Sequence, residues 1–319
     1  MTSRVVTIGA CISLVVAASV SAQTMSFEPI GSIPGPADLV RVRGDQAFVA
    51  AGTSFTIYDI SNPETPKRQG TYTFPEEIWG FRLSSSRAYV GANFFGLGIL
   101  DIGNADEPTL IGSFKSLGQT KIGDVFENKV VFIDHMEGLV MLDVSDESKP
   151  VAAGSFFLDG YARDVTVSGS LAYAVDSPSG LYIFDLSQPG PLEPVGVLHA
   201  PNAPRSMEVS DGSGAGGPKL LCGAGRGDLQ VYDVSDPTTP VKVATFATPG
   251  RAERVALAGN LAYVADGEAG IQVVDLSTPS QPKLVGTYKT SGPARDVAVD
   301  SLVLVVVGDE EVLVLRQTP

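Results

Sequence analysis

Residues 57–66 read IYDISNPETP. The same phrase returns as ILDIGNADEP at 99–108, MLDVSDESKP at 141–150, IFDLSQPGPLEP at 183–194, VYDVSDPTTP at 231–240 and VVDLSTPSQP at 273–282. The aspartates that anchor it are Asp59, Asp101, Asp143, Asp185, Asp233 and Asp275, spaced 42, 42, 42, 48 and 42 residues apart. The long interval carries DGSGAGGP at 211–218, which reads as a flexible loop insertion. A worn seventh copy, EVLVLRQTP, ends the chain with Arg316 in the place of Asp. Self-similarity at this period marks a repeat architecture in which each copy is one supersecondary unit.

Each unit holds four short strand patterns. In the sixth they are AERVALAG (252–259), LAYVAD (261–266), GIQVVDLS (270–277) and PKLVGTY (282–288), rich in Val, Ile, Leu and Tyr and bounded by Gly, Pro, Asp or Ser. The chain after residue 22 shows no sustained 3.6-residue apolar period, so almost no helix is expected. Four-stranded units of this length match propeller blades, whereas a solenoid would want shorter ones. With strands A to D named from the inside outward, strand A begins near Asp38, Trp79, Lys121, Arg163, Arg205, Glu253 and Arg295. That gives seven blades. The last unit stops after its C strand, and FEPIGSI at 27–33 supplies the missing D strand. The expected fold is therefore an all-β, seven-bladed β-propeller over residues 23–319, closed by its N-terminal strand so that no edge is left open.

The composite pattern A-R-D-V-x-V-x-G…A-Y-V-A-D-G…G-[LI]-x-V-V-D-[ILV]-S-x-P-x-x-P…V-G-x-Y resembles the LVIVD-repeat family of bacterial exported proteins. The resemblance runs from residue 27 to 319. It implies the propeller fold and a surface or binding role, and it says little about activity. One Trp and two His cannot supply the repeated pairs of WD-type propellers, and no repeated S-x-D-x-G-x-T-W box of the sialidase kind is present.

The N-terminus reads as a secretory signal. Arg4 precedes an apolar run from Val5 to Val20, and Val20-Ser21-Ala22 before Gln23 is a small-residue cleavage pattern. The run is short for a membrane span, and most of it follows Cys11, which disfavours lipidation at that residue. A periplasmic or extracellular location follows, with cleavage after Ala22. The cleaved chain keeps Cys222 alone, so it has no internal disulfide and depends on packing. A formal net charge of −14 argues against nucleic acid or anionic lipid as a partner. A monomer is expected.

Strand parity fixes the geography. B–C loops and D-to-A connections share one face, and A–B and C–D loops share the other. The recurring Asp-Ser-Pro turns fall in C–D loops, where Asp accepts backbone N–H groups and Pro sets φ. The other face collects irregular residues around the channel, and candidate ligand contacts there are Trp79, Phe94, Phe95, Lys121, Arg163, Arg205, Glu253, Arg254 and Arg295. Arginine forks suit an anionic ligand, and aromatics beside a polar channel suit a sugar ring, a peptide or a protein surface. The bland alternatives are ion pairing between blades for Arg163-Asp164 and Arg295-Asp296, and interblade packing for the aromatics. Arg205 and Arg254 depart from the repeat pattern and are better functional candidates.

Catalytic constellations are thin. His135 with Asp134 or Glu137 is a weak acid–base candidate, and the repeated Asp134, Asp176 and Asp266 also read as turn residues ending strand B. His199 stands alone. A Cys/His zinc site lacks ligands. Acidic loops could take calcium, but no D-x-D-x-D-G run supports it, and no cofactor is expected. Gly223-Ala224-Gly225-Arg226-Gly227-Asp228 lacks the Lys-Ser/Thr ending of a phosphate loop and reads as a turn. The expected function is a non-catalytic binding or scaffold module whose partner, a protein or surface ligand, meets the B–C-loop face. The alternative is a hydrolase or lyase with its site in the central funnel, acting on an anionic or sugar substrate.

Overall fold

Each repeat folds into a four-stranded antiparallel sheet, and seven such sheets form the ring. The computed structural model describes residues 25–318 apart from 159, 178, 189–190, 201, 203, 211–218, 226 and 309. The leader at residues 1–22, the inserted loop and Arg226 lie outside the described residues. The inner strands are Leu39–Arg43, Gly80–Ser84, Thr120–Phe126, Tyr161–Ser168, Ser206–Val209, Arg254–Ala258 and Ala294–Val299.

Strands B and C are apolar on both faces because each sheet is sandwiched between two others. A buried cluster lies at every blade interface. Phe48, Phe55 and Ile57 of blade 1 meet Phe81, Val90 and Leu100 of blade 2, and Tyr173 and Leu181 of blade 4 meet Met207 and Tyr232 of blade 5. Cys222 is buried between blades 5 and 6, and burial pushes its thiol up to about 12. The thiolate needed for redox or nucleophilic chemistry is thereby disfavoured.

Closure follows the sequence reading. The N-terminal strand Ser26–Pro34 pairs antiparallel with Glu311–Thr318, from Ser26 opposite Thr318 to Pro34 opposite Glu311, and completes blade 7. Its Ile33 joins Val312 and Val314 of blade 7 against Val40, Val49 and Ile60 of blade 1. The glycine of the V-G-x-Y motif also has a structural reason. A Cβ at Gly31 would overlap the carbonyl oxygen of Pro63, and one at Gly112 would overlap that of Glu147. These D strands thus leave room for the C–D turn of the next blade.

The Asp-Ser-Pro turns have the expected chemistry. Asp59, Asp143, Asp185, Asp233 and Asp275 each accept the N–H of the serine two residues on, and Asp101 accepts that of Gly103. Hydrogen bonds from Ser61 and Ser145 hold the Asp59 and Asp143 carboxyls below the usual range.

The aspartates of the Arg-Asp doublets pair between blades, as the bland alternative supposed, each with a basic residue on the inner strand of a neighbouring blade. Asp296 of blade 7 accepts the N–H of Val40 in blade 1 at 3.0 Å and pairs with Arg41 at 3.1 Å. Asp164 of blade 4 accepts from Met207 of blade 5 at 2.8 Å and lies 3.6 Å from Lys121 of blade 3. Asp124 of blade 3 accepts from Val167 of blade 4 at 3.1 Å and faces Arg82 of blade 2 at 3.7 Å. Channel aspartates therefore tie the innermost strand of one blade to that of the next, satisfying N–H groups that no neighbouring strand can reach.

Candidate functional site

The face of the B–C loops and D-to-A connections opens into a pocket of about 260 Å³ at the mouth of the channel. Trp79, Lys121, His135, Tyr161, Arg163, Arg205, Glu253 and Arg254 line it. Six of these are residues that strand parity placed together. Trp79 and Arg205 stand one residue ahead of their inner strands, so they crown the ring without joining its ladders.

An aromatic shelf forms one wall. The rings of Trp79 and His135 lie 5.8 Å apart, those of His135 and Tyr161 4.8 Å apart, and the Arg163 guanidinium sits 4.7 Å over Tyr161. His135 Nδ1 is 3.3 Å from Gln119 Oε1. Burial pulls the imidazole below its usual range, so it is neutral at pH 7 and acts as a ring within the shelf. Tyr161 was not among the sequence candidates because strand A was counted from Arg163. The signal available was an aromatic residue immediately ahead of the A-R-D-V motif.

The rest of the lining is mostly cationic. Lys121 donates its Nζ to the carbonyl of Arg163 and faces Asp164. Burial pulls its ammonium down to about 8, against the attraction of Asp164. Burial raises the Asp164 carboxyl, but Lys121, Arg254 and Arg82 outweigh burial and hold it below the usual range. Glu253 is engaged by Arg251 at 3.0 Å. Among the described residues, the ion pairs do not include Arg163, Arg205 or Arg254. Arg254 also lines a second cavity of about 310 Å³ farther down the channel, so it marks the boundary between the two. There burial pushes the Asp124 and Glu208 carboxyls up.

Five sequence candidates stand elsewhere. Phe95 packs inward, 5.7 Å from Phe74 in the core between blades 1 and 2, whereas its neighbour Phe94 is exposed on the rim. Adjacent residues in a tight turn point opposite ways, so only one could face a ligand. Arg295 is exposed and stands outside the pocket lining. Pro293 occupies in blade 7 the place of Tyr161 in blade 4. Asp134 is fully buried: Oδ2 accepts the N–H of Gly118, and Oδ1 accepts those of Met136 and Glu137. It ties the D-to-A connection to the end of strand B, as Asp176 does through Gly160 and Asp266 through Gly250. Glu137 is half-buried and outside the lining. Neither carboxylate is placed as an acid–base partner for His135.

Among the described residues no group of three His, Cys, Asp or Glu is placed to hold a metal ion. No described helix is long and apolar enough to cross a membrane.

Against known proteins, the chain matches the model of the LVIVD repeat over residues 34–73, 83–116, 131–157, 159–196, 222–248 and 249–290. No curated protein matches it in sequence. Among solved structures, the crystal structure of the computationally designed protein Ika8 superposes with a TM-score of 0.66 at 10% identity, covering 90% of this chain and 98% of the designed one. At that identity the likeness is one of fold.

Proposed function

The chain belongs to the LVIVD-repeat family, and we propose that it is an exported, monomeric binding module whose partner meets the B–C-loop face at the channel mouth. The observation that carries this is the pocket itself. Three guanidiniums without ion-pair partners among the described residues face an aromatic shelf, in a chain of net charge −14. An acidic protein that gathers cations around one concavity focuses its field there and attracts an anionic group. Export rests on Arg4, the apolar run after it and the Ala22 cleavage pattern. A hydrolase or lyase would need a base or acid beside His135, and Asp134 is committed to backbone N–H groups.

The test is capture of envelope proteins by the wild type and by a Trp79→Ala/Tyr161→Ala double variant. Both side chains line the mouth outside the blade cores, so the melting temperature should move by only a few degrees, about 1 kcal/mol or less per site. Partner capture should be lost in the double variant and kept in Val197→Ser on the outer wall. Capture that survives the double variant moves the site elsewhere.

The Lys121 ammonium adds a pH dependence. Raising the pH from 7 to 9 passes its lowered value of about 8 and discharges it in the folded protein, while Asp164 stays ionised. The pocket loses one positive charge, so affinity for an anionic partner should fall on the order of tenfold, the worth of one charge about 10 Å away at intermediate permittivity. Lys121→Arg should abolish the step. A binding curve with the same fall in Lys121→Arg would contradict this assignment.

A further inference from the structure

The large apolar side chains that the fold leaves exposed fall into two sets. Val151, Val195, Val197, Val241 and Leu284 lie on the outer strands of four blades, Val195 and Val197 on the same one. The other set, Phe94 (53% exposed), Leu117 (74%), Met136 (68%), Phe157 (66%) and Tyr161 (51%), lies on the B–C-loop face of blades 2 to 4. These five are neighbours. Asn93 accepts the N–H of Thr120 and so brings Phe94 beside the connection that carries Leu117. Gly118 and Met136 are both held by Asp134, and a Cβ at Gly118 would come within 2.7 Å of the Met136 Cγ. Phe157, Tyr161 and His135 line one crevice. The crescent leads to the cationic pocket, because Tyr161 and His135 belong to both.

We propose that this face takes the C-terminus of a partner polypeptide, its carboxylate held in the pocket by Arg205 and Arg254 and its last apolar side chains resting on Leu117, Met136, Phe157 and Tyr161. The proposal rests on the binding role assigned above and specifies the ligand. The pocket, at about 260 Å³, is continuous through Tyr161 and His135 with the crevice beside Phe157, so a ligand larger than the pocket can enter it by one end. That end is anionic, because among the described residues neither Arg205 nor Arg254 is in an ion pair, and a carboxylate is the bidentate match of a guanidinium. Arg254 stands where the mouth pocket gives way to the lower cavity, which suits a chain that stops over one that passes through. The body outside the pocket is apolar, and it meets separate projections from three blades, as the spaced side chains of an extended peptide would. A continuous groove for an alkyl tail would look different.

The test uses fluorescein-labelled octapeptides in which Leu, Val, Phe or Tyr alternate with Ser, as one pool with a free C-terminal carboxylate and a matched amidated pool. Fluorescence polarisation with the purified protein should show binding of the free-acid pool and at least tenfold weaker binding of the amidated pool. Arg205→Gln and Arg254→Gln should each weaken the free-acid pool at least fivefold, and Met136→Glu should weaken both pools. Equal binding of the two pools overturns the carboxylate assignment. No binding of either overturns the peptide occupant, as does competition in which laurate binds and displaces nothing but itself. Failure here, with capture still lost in the Trp79→Ala/Tyr161→Ala variant, leaves the binding face standing and removes only the C-terminal specificity. Capture indifferent to that double variant removes the face itself.

Discussion

A chain beginning at Gly35, without the strand Ser26–Pro34, is expected to lose its cooperative unfolding transition and to self-associate. That strand does three things at once. It covers the edge of the last blade along its length. It places Ile33 in the core between blades 7 and 1. It also packs the backbone at Gly31 against the C–D turn of blade 1. Removing it bares a row of unpaired N–H and C=O groups on Glu311–Thr318, a template for pairing with another chain. The expected cost exceeds about 5 kcal/mol, a large share of the ~5–15 kcal/mol that holds a typical domain together. Size-exclusion chromatography and a circular-dichroism melt check this, and a soluble monomer with an unchanged melting temperature would contradict it.

Asp296→Ala is expected to be the most damaging single substitution in the channel. Its carboxylate is buried, accepts the Val40 N–H and neutralises Arg41 across the closing interface. The truncation leaves a buried donor without an acceptor and a guanidinium without its counter-charge, which costs about 3–5 kcal/mol. For a domain of this size that lowers the melting temperature on the order of 10 °C. Asp296→Asn keeps an acceptor for the Val40 N–H and should recover part of the loss, separating the hydrogen bond from the charge. Equal melting temperatures for wild type and Asp296→Ala would remove the interblade tie from the account.

The fold was legible because a propeller writes itself repeatedly. Six copies of one phrase set the blade length, and the short last copy together with FEPIGSI set the closure. The site was legible in part for the same reason: parity alone carries Trp79, Lys121, Arg163, Arg205, Glu253 and Arg254 to one pocket. Parity does not resolve neighbouring residues within a turn. Phe95 turns inward and Phe94 outward, and Asp134 binds backbone while His135 joins the shelf. The Arg-Asp doublets were read as pairs between blades, but the partner of each aspartate comes from a neighbouring strand that no local pattern names. Tyr161, Leu117 and Phe157 lie in or beside D-to-A connections, where the repeat is weakest and sequence gives no register against which an exposed side chain stands out.

The central claim is that the partner meets the B–C-loop face. Photo-crosslinking in the native cell envelope tests it most directly, with benzoylphenylalanine placed in turn at Met136 on that face, at Ser148 on the opposite face and at Val197 on the outer wall. All three positions are exposed. The account predicts a discrete adduct from Met136 alone, diminished by Arg205→Gln. Adducts from Ser148 or Val197, with none from Met136, would contradict it.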